Sequence, residues 1–358
     1  MTFTTSDLTF KAYAYKNAST PIELTDETIT LVQDPQNPST YIPPPGKVLV
    51  KINYTSLNPV DVKLYHVATG PLFRQNKGFG RDFSGEVIAI GNETKSTLKV
   101  GDFVQGIYTK TFEKGTASQY LLVDPNEIEI ATKPENLTLI EAASWPTVFG
   151  TAFLISKKIQ YKNKKVLILG GGTSVGRYLV QIAKQEGAKE VAVTCSTRTQ
   201  ETLKELGADT VIDYTKHKNL VIPVLESVKA TGKFDYILDT YGGNALFPEI
   251  DNILVRNGFY TTITGDYPGS DFSSLMWCVA ASIYRTVSSK LGFSSFTYEF
   301  FMFKDFDNEI EQAKKYLSSG KIKIFIDSVY PFDQLDQAIE KLESGKTSGK
   351  VVVEVAKE

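Results

Sequence analysis

The chain has 358 residues, a hydrophobic fraction of 42% and a formal net charge of −2, so we expect a globular protein with two domains. This near-neutral charge gives no electrostatic reason to expect a nucleic acid partner. Two cysteines do not make a disulfide framework and fit a reducing compartment. No uncharged apolar stretch reaches the roughly 18 residues of a membrane-spanning helix. We therefore expect a cytoplasmic protein without a targeting segment.

The first third of the chain predicts a compact β domain. Short apolar runs separated by turn residues occupy 48–52, 85–90, 103–107 and 117–123. Gly101 and Asp102 form a turn signal between two such runs. This spacing is typical of a small barrel-like domain built from short strands.

The middle of the chain alternates between strand-like and helix-like patterns. Apolar runs at 166–169, 191–195, 210–212, 236–238 and 260–263 predict strands, and the intervening segments predict helices at 177–186, 199–206, 220–229 and 247–254. Such alternation predicts an α/β fold with a doubly wound parallel sheet. We expect the run at 260–263 to be the last strand of this sheet.

A glycine-rich turn, VLILGGGTSVG at 166–176, joins the first of these strands to its helix. A turn of this kind binds a pyrophosphate through backbone N–H groups and the positive end of the helix dipole. Thr173 stands where the dinucleotide fingerprint has its middle glycine. The alternative interpretation is an ordinary glycine-rich loop. The residues predicted to bind cofactor here are Gly171, Gly172, Thr173, Ser174, Val175 and Gly176.

The end of the second strand predicts which nicotinamide cofactor binds. An NAD site usually has an acidic residue roughly 20 positions beyond the glycines, but the chain has Ser196 and Arg198 there and no carboxylate before Glu201. A hydroxyl and a guanidinium suit the 2′-phosphate of NADPH, and Tyr214 follows the third strand. The alternative is a solvated helix start with an exposed Arg198. Thr240 and Gly265, at the ends of later strands, are further candidate cofactor contacts.

Several motifs in sequence order carry a family resemblance: NPVD at 58–61, GRDFSGEVIAIG at 80–91, VGD at 100–102, WPTVFGTAF at 145–153, LGAD at 206–209 and FDQLDQAIEKLESGKTSGKVVVEV at 332–355. Together with the glycine turn, they resemble the medium-chain dehydrogenase/reductase superfamily. Within it, the chain is similar to the zinc-free quinone oxidoreductase (zeta-crystallin-like) branch, in particular its fungal members.

The resemblance implies a GroES-like β-barrel catalytic domain at 1–138, a Rossmann NADP-binding domain at 139–302 and a segment at 303–358 that returns to the catalytic domain. It implies an active site in the cleft between the two domains. The implied activity is NADPH-dependent reduction of a small hydrophobic quinone or an α,β-unsaturated carbonyl. The alternative is a weakly active NADPH-binding redox sensor, stress-response protein or partner-binding protein.

Metal and catalytic residues separate the branches of this superfamily. The positions that resemble the catalytic zinc ligands hold Asn58, Arg81 and Asp82, so we expect no metal. By resemblance, Asn58 lies near the nicotinamide, Thr147 near the reactive half of the cofactor, and Tyr65 faces the substrate. The alternatives are a local turn at Asn58 and a core role for Tyr65.

An aromatic-rich segment at 275–303 follows the predicted last strand. It fits a lid over an apolar pocket, a partner or dimer surface, a peripheral contact with an organelle or lipid surface, or core packing. The expected oligomeric state is a homodimer or a monomer.

Overall fold

The computed structural model describes residues 3–69, 75–266, 272–301 and 309–356. Its strands are β1 (Asp7–Tyr15), β2 (Glu23–Thr30), β3 (Val32–Gln33), β4 (Tyr41–Ile42), β5 (Val48–Leu57), β6 (Lys77–Gly78), β7 (Asp82–Ile90), β8 (Phe103–Ile107), β9 (Tyr120–Val123), β10 (Glu129–Thr132), β11 (Lys165–Leu169), β12 (Glu190–Cys195), β13 (Thr210–Asp213), β14 (Phe234–Asp239), β15 (Leu254–Thr262), β16 (Thr297–Phe300), β17 (Ile326–Pro331) and β18 (Lys350–Glu354). Its helices are α1 (Pro59–Val67), α2 (Leu139–Ser144), α3 (Pro146–Ser156), α4 (Ser174–Gln185), α5 (Gln200–Glu205), α6 (Val221–Thr231), α7 (Ile250–Ile253), α8 (Phe272–Lys290), α9 (Glu309–Ser318) and α10 (Leu335–Glu343).

The chain divides into two compact units, Met1–Gly150 with Phe306–Glu358, and Thr151–Asp305. The family resemblance implies boundaries after residues 138 and 302, and these boundaries stay a prediction. Helix α2, which follows residue 138, packs on strands β5 and β7 and therefore belongs with the first unit.

The first unit is built on a sheet with the strand order β10-β8-β7-β5-β18-β17, in which β9 also pairs with β5. The C-terminal strand β18 runs antiparallel to β5, so the end of the chain completes a sheet that the N-terminal third begins. Alternating apolar residues of β5, β7 and β8, among them Val50, Phe83 and Val104, pack into one core. Val351 and Val353 of β18 pack into another core, with Leu335 of α10.

The second unit is a parallel sheet with the strand order β13-β12-β11-β14-β15-β16. Every residue of β11 and β12 is buried, as expected for strands covered on both faces. The order reverses direction at β11, which is the arrangement of the doubly wound dinucleotide-binding fold. The predicted fold class is therefore confirmed.

The prediction that 260–263 is the last strand is wrong, because β16 pairs with β15 inside the aromatic-rich segment. This strand has four residues, and of these only Tyr298 is buried. So short a run, half of it polar, carries little periodic signal.

The first part of the aromatic-rich segment, residues 275–290, belongs to α8, which packs on β16. Cys278 and Ser282 are buried on one side of this helix, whereas Trp277 and Tyr284 are 65% and 70% exposed. Met302 and Phe303 lie outside the described residues. The lid, partner and lipid hypotheses for this segment stay predictions. Among the helices of the described residues, none is long and apolar enough to cross a membrane.

Candidate functional site

The glycine turn lies between the end of β11 and the start of α4. Thr194 of β12 anchors it, because its hydroxyl accepts from the Gly170 N–H at 2.9 Å and its carbonyl accepts from the Gly171 N–H at 2.8 Å. A Cβ on Gly176 would lie 2.3 Å from the Gly170 carbonyl oxygen. The absence of that carbon lets the first turn of α4 pack directly on the loop.

The side chain of Thr173, which departs from the glycine fingerprint, caps α4. Its hydroxyl accepts from the Gly176 N–H at 2.9 Å and lies 2.8 Å from the hydroxyl of Thr240. The first N–H groups of a helix have no intrahelical acceptor, and Thr173 satisfies that of Gly176. The N–H groups of Ser174 and Val175 lie at the same end of the helix. The positive end of the helix dipole favours an anionic group there.

The loops after β14 and β15 are tied to this turn. Thr240 donates its hydroxyl to the carbonyl oxygen of Leu169 or Gly170, at 2.8 and 2.9 Å. Gly265, which has a φ of +76°, accepts a hydrogen bond from the Gly243 N–H at 2.9 Å. The structure therefore brings the predicted residues Thr173 and Thr240 into contact.

Asp239, at the end of β14, holds the loop that follows it. Its carboxylate accepts from the N–H groups of Tyr241 and Gly242 and from the Tyr260 hydroxyl, at 3.0, 2.7 and 3.0 Å. Burial raises the pKa of Asp239, although these hydrogen bonds oppose the increase. A carboxylate bonded in this way fixes the backbone beside Thr240.

The end of β12 carries the residues predicted to bind the 2′-phosphate. Ser196 precedes a short 3₁₀ turn, Thr197–Thr199, and Arg198 is exposed on this turn. Tyr214 is 44% exposed, and its ring centroid lies 6.4 Å from that of Tyr241. The exposed side chains of Arg198 and Tyr214 are accessible to a ligand.

Asp213, at the end of β13, is an acidic residue near this turn. The spacing of residues along the sequence did not predict it. It pairs with Cys195 of the parallel neighbour β12. Its carboxylate accepts from the hydroxyls of Thr197 and Thr215 at 2.5 and 2.6 Å. Burial opposes ionisation, but these hydrogen bonds outweigh it and lower the pKa of Asp213 to about 2. Its position at the same edge of the parallel sheet as Cys195 was the available signal.

In the first unit, a buried polar cluster surrounds Asn58. The Asn58 Nδ2 donates to Asp82 Oδ2 at 2.9 Å, and Lys350 Nζ donates to Asn58 Oδ1 at 2.6 Å and to Asp82 Oδ2 at 3.1 Å. Thr147 donates its N–H and its hydroxyl to Asp82 Oδ1, at 3.0 and 2.5 Å. The structure thus brings the predicted residues Asn58 and Thr147 to the same carboxylate. The sequence pattern indicated no role for Lys350.

Asp61 fixes the backbone of Asn58 at the start of α1. Its Oδ2 accepts from the Asn58 N–H at 2.7 Å, while its buried Oδ1 has no hydrogen-bond partner. The nearest cation is the guanidinium of Arg81, with 3.9 Å between Nε and Oδ1. Burial raises the pKa of Asp61 to about 6, although the charge of Arg81 opposes the increase.

Tyr65 has a structural partner. Its hydroxyl donates to the Thr20 carbonyl oxygen at 2.8 Å, and its ring packs edge-on against that of Tyr15 at a centroid distance of 5.1 Å. The single hydroxyl proton is thereby committed to the backbone. The catalytic role of Tyr65 stays a prediction, and this hydrogen bond favours the alternative of a structural role.

Comparison with known proteins identifies the family. A family model described as an alcohol dehydrogenase GroES-like domain matches residues 44–133, and one described as a zinc-binding dehydrogenase matches residues 206–353. Protein YIM1 of Saccharomyces cerevisiae strain S288c is 32% identical over 369 residues, which cover 97% of this chain and 98% of the yeast protein. The chain belongs to the medium-chain dehydrogenase/reductase superfamily.

Two solved structures of similar proteins agree with this family assignment. A quinone oxidoreductase from Coxiella burnetii is 25% identical, with a TM-score of 0.76, and the match covers 98% of this chain and 100% of that one. An alcohol dehydrogenase superfamily protein from Novosphingobium aromaticivorans is also 25% identical, with a TM-score of 0.73 and coverage of 97% and 100%. This medium-chain dehydrogenase/reductase is therefore an oxidoreductase that uses a nicotinamide cofactor.

One matching family model has zinc in its name, and the positions that resemble catalytic zinc ligands hold Asn58, Arg81 and Asp82. Across the described ranges, no three His, Cys, Asp or Glu side chains form a group that could hold a metal ion. Asn58 Oδ1 and Asp82 Oδ2, the oxygens at two of the positions that resemble zinc ligands, both bind the ammonium of Lys350. A second cation in that place would be repelled by the first.

Proposed function

We propose that this medium-chain dehydrogenase/reductase is an NADPH-dependent, zinc-independent oxidoreductase that reduces quinones or α,β-unsaturated carbonyls by hydride transfer. The observation that carries the choice of NADPH is the end of β12, where Ser196 and the exposed Arg198 stand in place of a carboxylate. A guanidinium can bind a phosphate with two parallel hydrogen bonds. The quinone oxidoreductase from Coxiella burnetii, similar over the whole chain, supports the substrate class.

In this proposal, the glycine turn and the start of α4 hold the pyrophosphate. The N–H groups of Ser174 and Val175 bind it, and the Thr173 cap keeps the helix start in place. Thr240 and Gly265 would contact the ribose and the nicotinamide. Bound NADPH supplies the hydride, and the protein supplies binding, orientation and electrostatic stabilisation.

Asn58 is the residue we assign to the substrate oxygen. One Nδ2 hydrogen is donated to Asp82, and the amide carries a second one. A donor aimed at the oxygen stabilises the negative charge that grows there as the hydride arrives at carbon. Water then supplies the proton that completes the reduction, so Tyr65 is not required as an acid.

The first experiment measures turnover. Purified protein is mixed with NADPH and a panel of quinones and enones, and the loss of nicotinamide absorbance is followed. We expect turnover on at least one acceptor, unchanged by a metal chelator. Tight NADPH binding without turnover on any acceptor would instead favour the redox-sensor alternative, and turnover abolished by the chelator would contradict zinc independence.

The second experiment tests cofactor choice with Arg198→Ala. Losing a charge-assisted contact to the 2′-phosphate should weaken NADPH binding by about 10- to 100-fold and leave NADH binding nearly unchanged, as measured by nucleotide titration. Arg256→Ala, at another exposed arginine of the same unit, is the matched control and should change neither affinity. Equal losses for both nucleotides, or none, would remove Arg198 from the 2′-phosphate site.

A further inference from the structure

A buried ion pair holds the amide of Asn58 from two sides. Lys350 and Asp82, with side chains 3% and 0% exposed, contact the amide oxygen and the amide nitrogen respectively. An ammonium can only donate hydrogen bonds and a carboxylate can only accept them. The oxygen of Asn58 must therefore face Lys350, and its nitrogen must face Asp82. An amide by itself has two nearly isosteric orientations, and this pair selects one.

The same carboxylate also sets the direction of the Thr147 hydroxyl. That hydroxyl has one hydrogen, which it donates to Asp82 Oδ1 at 2.5 Å. Any further hydrogen bond at Thr147 Oγ1 is consequently one that it accepts. Asp82 thus makes Asn58 a donor and Thr147 an acceptor toward other groups.

The chain brings this cluster together by strand pairing. Lys350 opens β18, whose next residue Val351 lies opposite Leu57, the last residue of β5 and the neighbour of Asn58. Asp82 opens β7, which pairs with β5 through Ser56. Three strand ends therefore place these side chains side by side on rigid elements, which is how precise sites are supported.

We propose that Lys350 and Asp82 are positioning residues for the reduction: Lys350 orients Asn58, Asp82 orients both Asn58 and Thr147, and neither touches the substrate or the cofactor. This inference rests on the proposed function, in which Asn58 donates to the substrate oxygen, and on the family resemblance, which implies that Thr147 lies near the reactive half of the cofactor. Buried ion pairs can often be replaced by neutral residues without loss of stability, so removing both charges together can separate an effect on folding from an effect on orientation.

The decisive variant is the neutral pair Asp82→Asn/Lys350→Met. Each single variant leaves one buried charge unpaired and should unfold at a lower temperature, whereas the double variant removes both charges and should recover most of the Tm. Its kcat/KM should remain about 10- to 100-fold below that of the wild type. An asparagine at position 82 can donate where the carboxylate accepted, so Asn58 loses its single orientation. Recovery of kcat/KM together with Tm would overturn the inference.

A second measurement shows whether Lys350 acts through Asn58. In an Asn58→Ala background, Lys350→Met should change kcat/KM by less than about twofold, because the group that it orients is already gone. If the kcat/KM losses of Asn58→Ala and Lys350→Met multiply in full, the inference is overturned. This measurement does not require the neutral pair to fold.

The matched control is Lys165→Met in the other unit. Lys165 is also a largely buried lysine, paired with Glu190 at 3.2 Å. Lys165→Met should lower the Tm and leave kcat/KM unchanged. If Lys165→Met lowers kcat/KM as much as the neutral pair does, general destabilisation explains both losses and the inference is overturned. A wild type without turnover on any acceptor would overturn the proposed function and this inference together, whereas an active wild type with an equally active neutral pair overturns the inference alone.

Discussion

Replacing Asp61 with Asn should stabilise this protein near neutral pH and remove part of its pH dependence. The carboxyl of Asp61 is buried, and one of its oxygens has no hydrogen-bond partner. Its pKa is about 6 in the folded protein, against the ordinary value of 3.8. Asn keeps the carbonyl oxygen that accepts from the Asn58 N–H and carries no charge. The substitution therefore removes the cost of burying a negative charge and keeps the local hydrogen bond.

The sign and the size of the effect follow from the difference in pKa. The folded state binds the carboxyl proton of Asp61 more tightly than the unfolded chain does. The stabilisation from protonated Asp61 is therefore fully present below about pH 4 and is lost as the pH rises toward 6. A difference of about two pKa units corresponds to roughly 3 kcal/mol. We expect Asp61→Asn to exceed the wild type in stability by up to that amount at about pH 8 and to match it near pH 4.

The assay is the urea midpoint of unfolding across this pH range. Asp26→Asn is the control, because Asp26 has a 63% exposed side chain in an exposed ion pair with Lys11; this variant should keep the wild-type pH dependence. A difference between Asp61→Asn and wild type that is constant with pH, or a variant less stable than wild type at about pH 8, would refute the reasoning.

Thr173→Ala should destabilise the protein by about 1 kcal/mol, because α4 loses its N-cap, and it should also weaken nucleotide binding. Thr173→Ser keeps the hydroxyl and should restore both stability and binding. Thermal unfolding and nucleotide titration measure these two effects. Restoration of neither would mean that the cap is not what Thr173 contributes. Tyr65→Phe should leave kcat nearly unchanged, because the hydroxyl donates to the Thr20 carbonyl, and should lower stability by about 1 kcal/mol. A large loss of kcat with unchanged stability would return Tyr65 to a catalytic role.

Much of the second unit could be predicted because its signals are local. Strand and helix periods, together with the glycines of the turn, located β11 to β15 and the helices between them. The short strand β16 was missed, since four residues are too few for a period to be recognised. Asp213 was missed because the pairing of parallel strands, and not spacing along the chain, brings it beside the end of β12.

For the site, the sequence by itself determined which residue types stand at the glycine turn and at the end of β12, because a missing Cβ or a missing carboxylate is a property of one position. The tertiary structure alone decided where the side chains point. Thr173 is turned to cap its own helix, and Tyr65 donates to a backbone carbonyl. Lys350 lies 292 positions from Asn58 along the chain, and they meet because β18 pairs with β5 in one register. Such a contact depends on which strands become neighbours, and only the folded sheet determines that.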